Sequence, residues 1–312
     1  MTASVSFWII FNLIILGVLY FDLKFIQKDA HAISVKEAAF WSVFWIMVAL
    51  CFNAGIYYFM GPDKALKFLT GYVIEKTLSV DNLFVFLMIF EYFSVPAKFQ
   101  PRVLHWGILG ALVMRFIIIF AGVALLEKFH WIIYVFGALL IYTGFKMAFG
   151  EEKKLEPEKN PLIKLLKKIM PVAVRKIDDE KFFIYINGIF HATPLFVVLL
   201  VIESSDLIFA VDSIPAILAV TTDPFLVYTS NVFAILGLRA LYFLLSSIMP
   251  LFVYLKFGIS ILLCYIGVKM LIMHFYKIPT LASLGVIAFI LICSVVASLM
   301  FPKKESLSNH GA

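Results

Sequence analysis

Five carboxylates stand in apolar runs where an acid is out of place. Glu75 and Asp81 lie in LTGYVIEKTLSVDNLFVFLMIF, and Glu203, Asp206 and Asp212 in LVIESSDLIFAVDSIPAI. The neighbours Asn82 and Ser213 add an amide and a hydroxyl. An isolated charge at the centre of a bilayer costs at least about 2.5–3.5 kcal/mol, so such acids must face one another, a cation, a proton or water. Oxygen-only ligand sets suit hard divalent ions such as Mg2+, Ca2+ or Mn2+, and no His or Cys stands beside these acids to favour a softer metal. Five ionised carboxylates exceed the charge of one divalent ion by three. Lys76, Arg115 and Arg239, which also fall within apolar runs, are candidates to tune that charge. An acid protonated at rest would offer a route to metal/proton exchange. A bland reading stands beside this one: a single acid such as Glu75 can be a structural partner of Lys76 or Arg115.

The elements that must carry these residues follow from composition. Of 312 residues, 63% are hydrophobic, 15% are charged and 16% are aromatic, with 33 Phe, and the mean hydropathy is +1.00. Those values belong to a membrane protein. The formal net charge of +6 therefore points to basic loops at a membrane face and not to nucleic acid. Nine stretches are long and apolar enough to span, near 5–24, 40–60, 68–93, 103–126, 129–149, 194–219, 225–249, 252–275 and 280–300. MTASVSFWIIF lacks the basic start of a cleavable signal, so the first run is expected to remain as a helix. If the N-terminus is outside, seventeen of the 26 Lys and Arg fall on inside segments and four on outside ones. This bias places the C-terminus in the cytoplasm. Between 150 and 190, PLIKLLKKIM reads as a basic amphipathic helix on the membrane surface, and FFIYINGIF as a hairpin about Asn187–Gly188. Cys51, Cys264 and Cys293 read as buried packing residues, and Asn53 and Asn231 as interhelical hydrogen-bond formers. Lys146 and Lys269 read as side chains reaching out to the interface at span ends, and His105, His130 and His274 as interfacial.

Self-comparison divides the chain into two related halves. Aligning Val80-Asp81-Asn82 with Val211-Asp212-Ser213 sets Glu75 opposite Asp206. ILG then recurs at 108–110 and 235–237, arginine at Arg115 and Arg239, and YTGFKM at 142–147 matches YIGVKM at 265–270. A unit of three spans is odd, so the second unit crosses the membrane upside down relative to the first. Inverted repeats of this kind are typical of secondary transporters, whose sites lie near the midplane where the units meet. The expected organisation is two N-terminal helices with an inside loop (1–66), a three-helix repeat (67–149), a charged cytoplasmic loop (150–193), an inverted repeat (194–276), and a last helix with its tail (277–312). For two acids six residues apart to reach one ion, the helix should unwind locally, as Pro215 suggests for the sixth span.

The stretches LTGYVIEKTLSVDNLFVFLMIFEYFSVP, FFIYINGIFHATP, SSDLIFAVDSIPAILAVTTDPFLVYTSNVFAILGLRALYF and YIGVKMLI resemble the TerC family of integral membrane proteins, especially its Alx-like branch. The resemblance runs from about residue 30 to 300. It implies a member of the lysine-exporter superfamily that exports manganese, with Glu75, Asp81, Glu203, Asp206 and Asp212 as the transport-critical acids. No departure from the pattern occurs at those five positions. The expectation is therefore an all-α polytopic protein of the bacterial inner membrane and not an enzyme. Mn2+ would be its cargo and not a resident cofactor, with Ca2+ or other divalent ions as further cargo, protons as a coupling ion, and the lipid bilayer as surroundings. The sequence points to no protein partner. Two rivals stay open, a tellurite- or redox-stress factor without transport and a cation channel. A membrane aspartyl protease is disfavoured, because neither YD nor GxGD occurs.

Overall fold

The computed structural model describes residues 5–21, 35–129, 131–149, 161–173, 177, 181–248, 254–276 and 278–300. The expectations for His130, for the 150–160 segment and for the tail lie outside them. Each of the nine apolar stretches is helical: α1 (Val5–Phe21), α2 (Val35–Met60), α3 (Pro62–Tyr92), α4 (Gln100–Lys128), α5 (Ile132–Phe149), α7 (Pro194–Leu218), the pair α8 (Pro224–Leu236) and α9 (Leu238–Ile248), α10 (Leu255–Ile272) and α11 (Thr280–Met300). Proline at the first turn sets several starts, where its missing N–H removes no helix bond. Pro62 opens α3, while Pro194 and Pro224 follow the caps Thr193 and Asp223, which accept from Phe196 N and Phe225 N.

Among the described residues, six helices are long and apolar enough to cross a membrane: α2, α4 with the 3₁₀ turn before it, α5, α7, α10 and α11. The α8–α9 pair, bent by 42° where Gly237 interrupts it, makes a seventh. The nine expected crossings are not all reached, for two physical reasons. Helix α1 has 17 described residues, short of the roughly 20 that a span needs. Helix α3 has 31 residues but carries Asp63, Lys64, Lys67, Glu75, Lys76, Asp81 and Glu91.

The expected unwinding near Asp212 does not occur. Helix α7 continues through Pro215 and ends at Leu218. So late in the helix, the proline disturbs little more than the final turn. The interruption falls instead at Gly237, between α8 and α9.

Helix α3 lies against α2, α7 and α8, and α4 against α7 and α8. Lys64 at the start of α3 pairs with the α8 cap Asp223 at 3.1 Å. Helices α5 and α10 form the closest pair, because small residues let their backbones meet. A Cβ on Gly144 would lie 2.6 Å from Cys264 Sγ and 2.7 Å from the Ser260 carbonyl; one on Gly267 would lie 2.6 Å from the Gly137 carbonyl and 2.7 Å from Ile141 Cγ1.

The segment PLIKLLKKIM does form a helix, α6 (Pro161–Ile169), but its apolar residues Ile163 and Leu166 are buried in the core cluster that includes Leu195 and Val198 of α7. Leu162, Leu165 and Ile169 remain exposed, so only part of the apolar face is spent on the protein. The hairpin is present: β1 (Phe183–Ile186) pairs antiparallel with β2 (Ile189–Ala192), and Asn187 and Gly188 both take positive φ, as a tight primed turn requires.

Candidate functional site

The centre of the charged region is Arg115 of α4, which is 2% exposed. Its Nε and Nη2 donate to the two carboxylate oxygens of Asp206 on α7, at 3.3 and 3.0 Å. Its Nη1 donates to Glu75 Oε1 on α3 and to Ser213 Oγ on α7, the latter at 3.3 Å. One planar fork thus ties three helices together, a use for which arginine's fixed donor geometry suits it. Glu75 is 0% exposed and Asp206 4%. Among the described residues, the second oxygen of Glu75 has no hydrogen-bond partner, nor does Nδ2 of the buried Asn82 or Oγ of the buried Ser79.

The other acids take separate places. Glu203, one turn before Asp206, lies against Gly110 of α4, where any Cβ would fall inside its carboxylate. Asp212 points to α5 and accepts from Thr143 Oγ1 at 2.9 Å. Asp81 belongs to α3, but its side chain lies outside those described. Because α7 is unbroken, residues six apart diverge by about 120°, which is why Asp206 faces α4 and Asp212 faces α5. Among the described residues, no three His, Cys, Asp or Glu side chains converge as a ready metal site. Glu75 and Asp206 form a linked charged pair with an arginine between them.

The tuning candidates divide likewise. Lys76 Nζ donates to the Ala234 carbonyl of α8 at 3.2 Å and abuts Gly237. Arg239 borders, with Asp206, a cavity of about 10 Å3 between α3, α4, α7 and the α8–α9 bend, room for roughly one water-sized body. Thr143 and Gly110 were not foreseen from sequence; Thr143 falls within YTGFKM, a repeat landmark that could have drawn notice to it.

Several expectations outside the site need revision. Neither side-chain atom of Asn231, nor Oδ1 of Asn53, has a partner among the described residues, so the predicted interhelical bonds are not formed there. Lys269 is buried and donates to Ser283 of α11 at 3.1 Å instead of reaching outward, whereas Lys146 is exposed. His105 is buried, not interfacial. Cys51 and Cys293 are exposed on the outer faces of α2 and α11, and Cys264 is partly buried beside α5.

A mostly helical chain with several membrane-crossing helices and a buried charged junction defines a polytopic integral membrane protein. The profile of the Integral membrane protein TerC family matches residues 60–306, and the chain belongs to that family. It is 49% identical over 309 residues to an uncharacterized membrane protein of Myxococcus xanthus, covering 99% of this chain and 97% of the relative. It is 50% identical over 278 residues, 86% of each chain, to Alx of Escherichia coli K12, whose name describes a candidate membrane-bound redox modulator. A membrane protein of Rickettsia bellii is 41% identical over 293 residues, which is 94% of this chain and 97% of the relative. No solved structure matches.

Proposed function

We propose that this protein is a divalent metal transporter of the bacterial inner membrane that exports Mn2+ from the cytoplasm through an acidic site near the bilayer midplane, in exchange for protons. In this reading Glu75, Asp81, Asn82, Glu203, Asp206, Asp212 and Ser213 form the ligand pool, and Ca2+ and other hard divalent ions are further cargo. The N-terminus is outside and the C-terminus cytoplasmic. The observation that carries the reading is the meeting of Glu75 and Asp206, sequence-equivalent acids from two different helices, at one buried point. Manganese, among the hard cations, comes from the family resemblance.

Two inverted three-helix units, α3–α5 and α7–α10, belong to the proposal, and packing supports them. Aligning Tyr142 with Tyr265 pairs Gly144 with Gly267, Gly137 with Ser260 and Ile141 with Cys264. Gly144 meets Ser260 and Cys264, while Gly267 meets Gly137 and Ile141, so the contacts exchange under the same alignment. A two-fold relation between the units produces that exchange. Helix α3 also packs on α8 as α7 packs on α4.

A second reading, a redox-stress factor without transport, draws on the names of the Alx relatives. Its natural reactive groups would be Cys51 and Cys293, which are exposed but sit midway along apolar helices, where hydrocarbon disfavours a thiolate. One experiment separates the two: a total-metal inventory of cells loaded with several divalent metals, expressing the wild-type protein, Asp81→Asn or Asp212→Asn. A selective fall in cellular Mn with the wild type, lost in both variants at equal expression, is expected. An unchanged inventory with the protein in the membrane sinks the exporter reading. A channel would differ in kinetics, showing flux that does not saturate with metal.

A further inference from the structure

We propose that Arg115 is a tethered cation that occupies the Glu75–Asp206 pair whenever metal is absent, and so allows the empty carrier to reorient. The inference rests on the transport reading above and assigns that site a residue which competes with its cargo. Three observations meet here. Arg115 comes from α4 yet holds an acid from each of the two units, taking Asp206 with both carboxylate oxygens and Glu75 with one. Those acids are matched positions of the repeat. Glu75, at 0% exposure, still has an oxygen without a partner among the described residues, so the arrangement leaves ligand capacity unused.

The physical reason is charge. A metal-free site with Glu75 and Asp206 both ionised would carry two uncompensated charges through hydrocarbon, the case that membrane proteins avoid. The guanidinium stays charged at every physiological pH, so it compensates Glu75 and Asp206 on the return limb while the exchanged protons travel on other acids of the ligand pool. A divalent ion that takes Glu75 and Asp206 must displace it. Two consequences follow. Arg115 weakens metal binding, because only the fraction of sites with the arginine withdrawn is competent. It also serves the return step alone, since the metal-loaded carrier has no need of it.

Transport in two modes tests this, using the full-length protein in liposomes with radioactive Mn2+. Net efflux into metal-free buffer requires the empty carrier to return; exchange with Mn2+ on both faces does not. Arg115→Met is expected to bind Mn2+ about tenfold tighter or more, to retain exchange, and to lose net efflux, so that the ratio of net flux to exchange falls by about tenfold. If Arg115→Met lowers both modes together while the wild type transports, the transport reading stands and the inference about Arg115 is overturned. If the wild type carries Mn2+ in neither mode, both fail. Should Arg115→Met not accumulate, Arg115→Lys carries the same test, because a shorter, single-point cation compensates two acids less well. A lowered ratio supports the inference, and a ratio equal to that of the wild type overturns it.

Discussion

Two junctions hold this bundle together by opposite means. Where α5 meets α10, Gly137, Gly144 and Gly267 bring backbone against backbone, and hardly an atom could be added without a clash. Where α3, α4 and α7 meet, an arginine and two carboxylates fill the space, and buried polar atoms of Glu75, Ser79 and Asn82 have no partner among the described residues. Lipid tails are as apolar as leucine, so association in a bilayer comes from close packing and polar bonds and not from hydrophobic burial. The first junction uses close packing and has one good arrangement. The second uses charges that could be satisfied in another way, by a metal ion, and is therefore the one suited to change. The difference suggests a rigid seam and an exchangeable centre.

The largest effect should come from breaking the centre unevenly. Asp206 accepts two of the arginine's bonds and Glu75 one. Asp206→Ala leaves the buried Arg115 poorly compensated and should destabilise the protein by about 3–5 kcal/mol. Glu75→Ala keeps the bidentate Asp206 pair and should cost less than half as much. Thermal unfolding of the purified protein, followed by the monodisperse fraction, checks the order; equal losses would mean that bond geometry does not govern the site. Next in size is the seam. Gly144→Leu begins with a Cβ 2.6 Å from Cys264 Sγ and 2.7 Å from the Ser260 carbonyl, so over-packing should cost about 1–3 kcal/mol. Gly267→Leu should cost a similar amount. Gly55→Ala, with nothing within 4 Å of the new Cβ, should cost no stability on the same assay, since alanine is the better helix former. A tolerant seam would remove the contrast between the junctions.

Sequence reading found the acids easily, because charge in an apolar run is rare and has few explanations. The equivalence of Glu75 with Asp206 was legible too, since Val80-Asp81-Asn82 and Val211-Asp212-Ser213 fix the register of α3 on α7. Membership of the TerC family followed from contiguous motifs and holds over residues 60–306. What escaped was direction. The idea that all five acids meet required a helix to unwind, yet α3 and α7 stay intact, so residues six apart part company and Asp212 reaches α5. Proline was a misleading guide: a break at Pro215 was expected, but α7 passes through it and the bend falls at Gly237. The apolar face of α6 is divided: Ile163 and Leu166 pack into the bundle while Leu162, Leu165 and Ile169 stay exposed, a division that a hydrophobic stripe does not announce. Arg115 drew notice as a charge, whereas its role as the shared partner of two helices depends on side-chain geometry that no spacing encodes.

The smallest effect lies between the two junctions, at the hydrogen bond that connects them. Thr143 of the α5 seam donates to Asp212 of α7 at 2.9 Å, the bond that fixes the carboxylate against α5. Thr143→Val keeps the shape and removes the donor. Interhelical hydrogen bonds in membrane proteins average about 0.6 kcal/mol and reach about 1.7, so stability should fall by no more than that range. Asp212 is only half-buried, which favours the lower end. Transport should respond differently if Asp212 serves the metal. Freed from its partner, the carboxylate can swing towards incoming cargo, so Mn2+ binding should change while the melt scarcely moves. A melt lowered as far as that of Asp206→Ala would show instead that the bond is a structural tie, and that the rigid seam extends into what is here taken as the exchangeable centre.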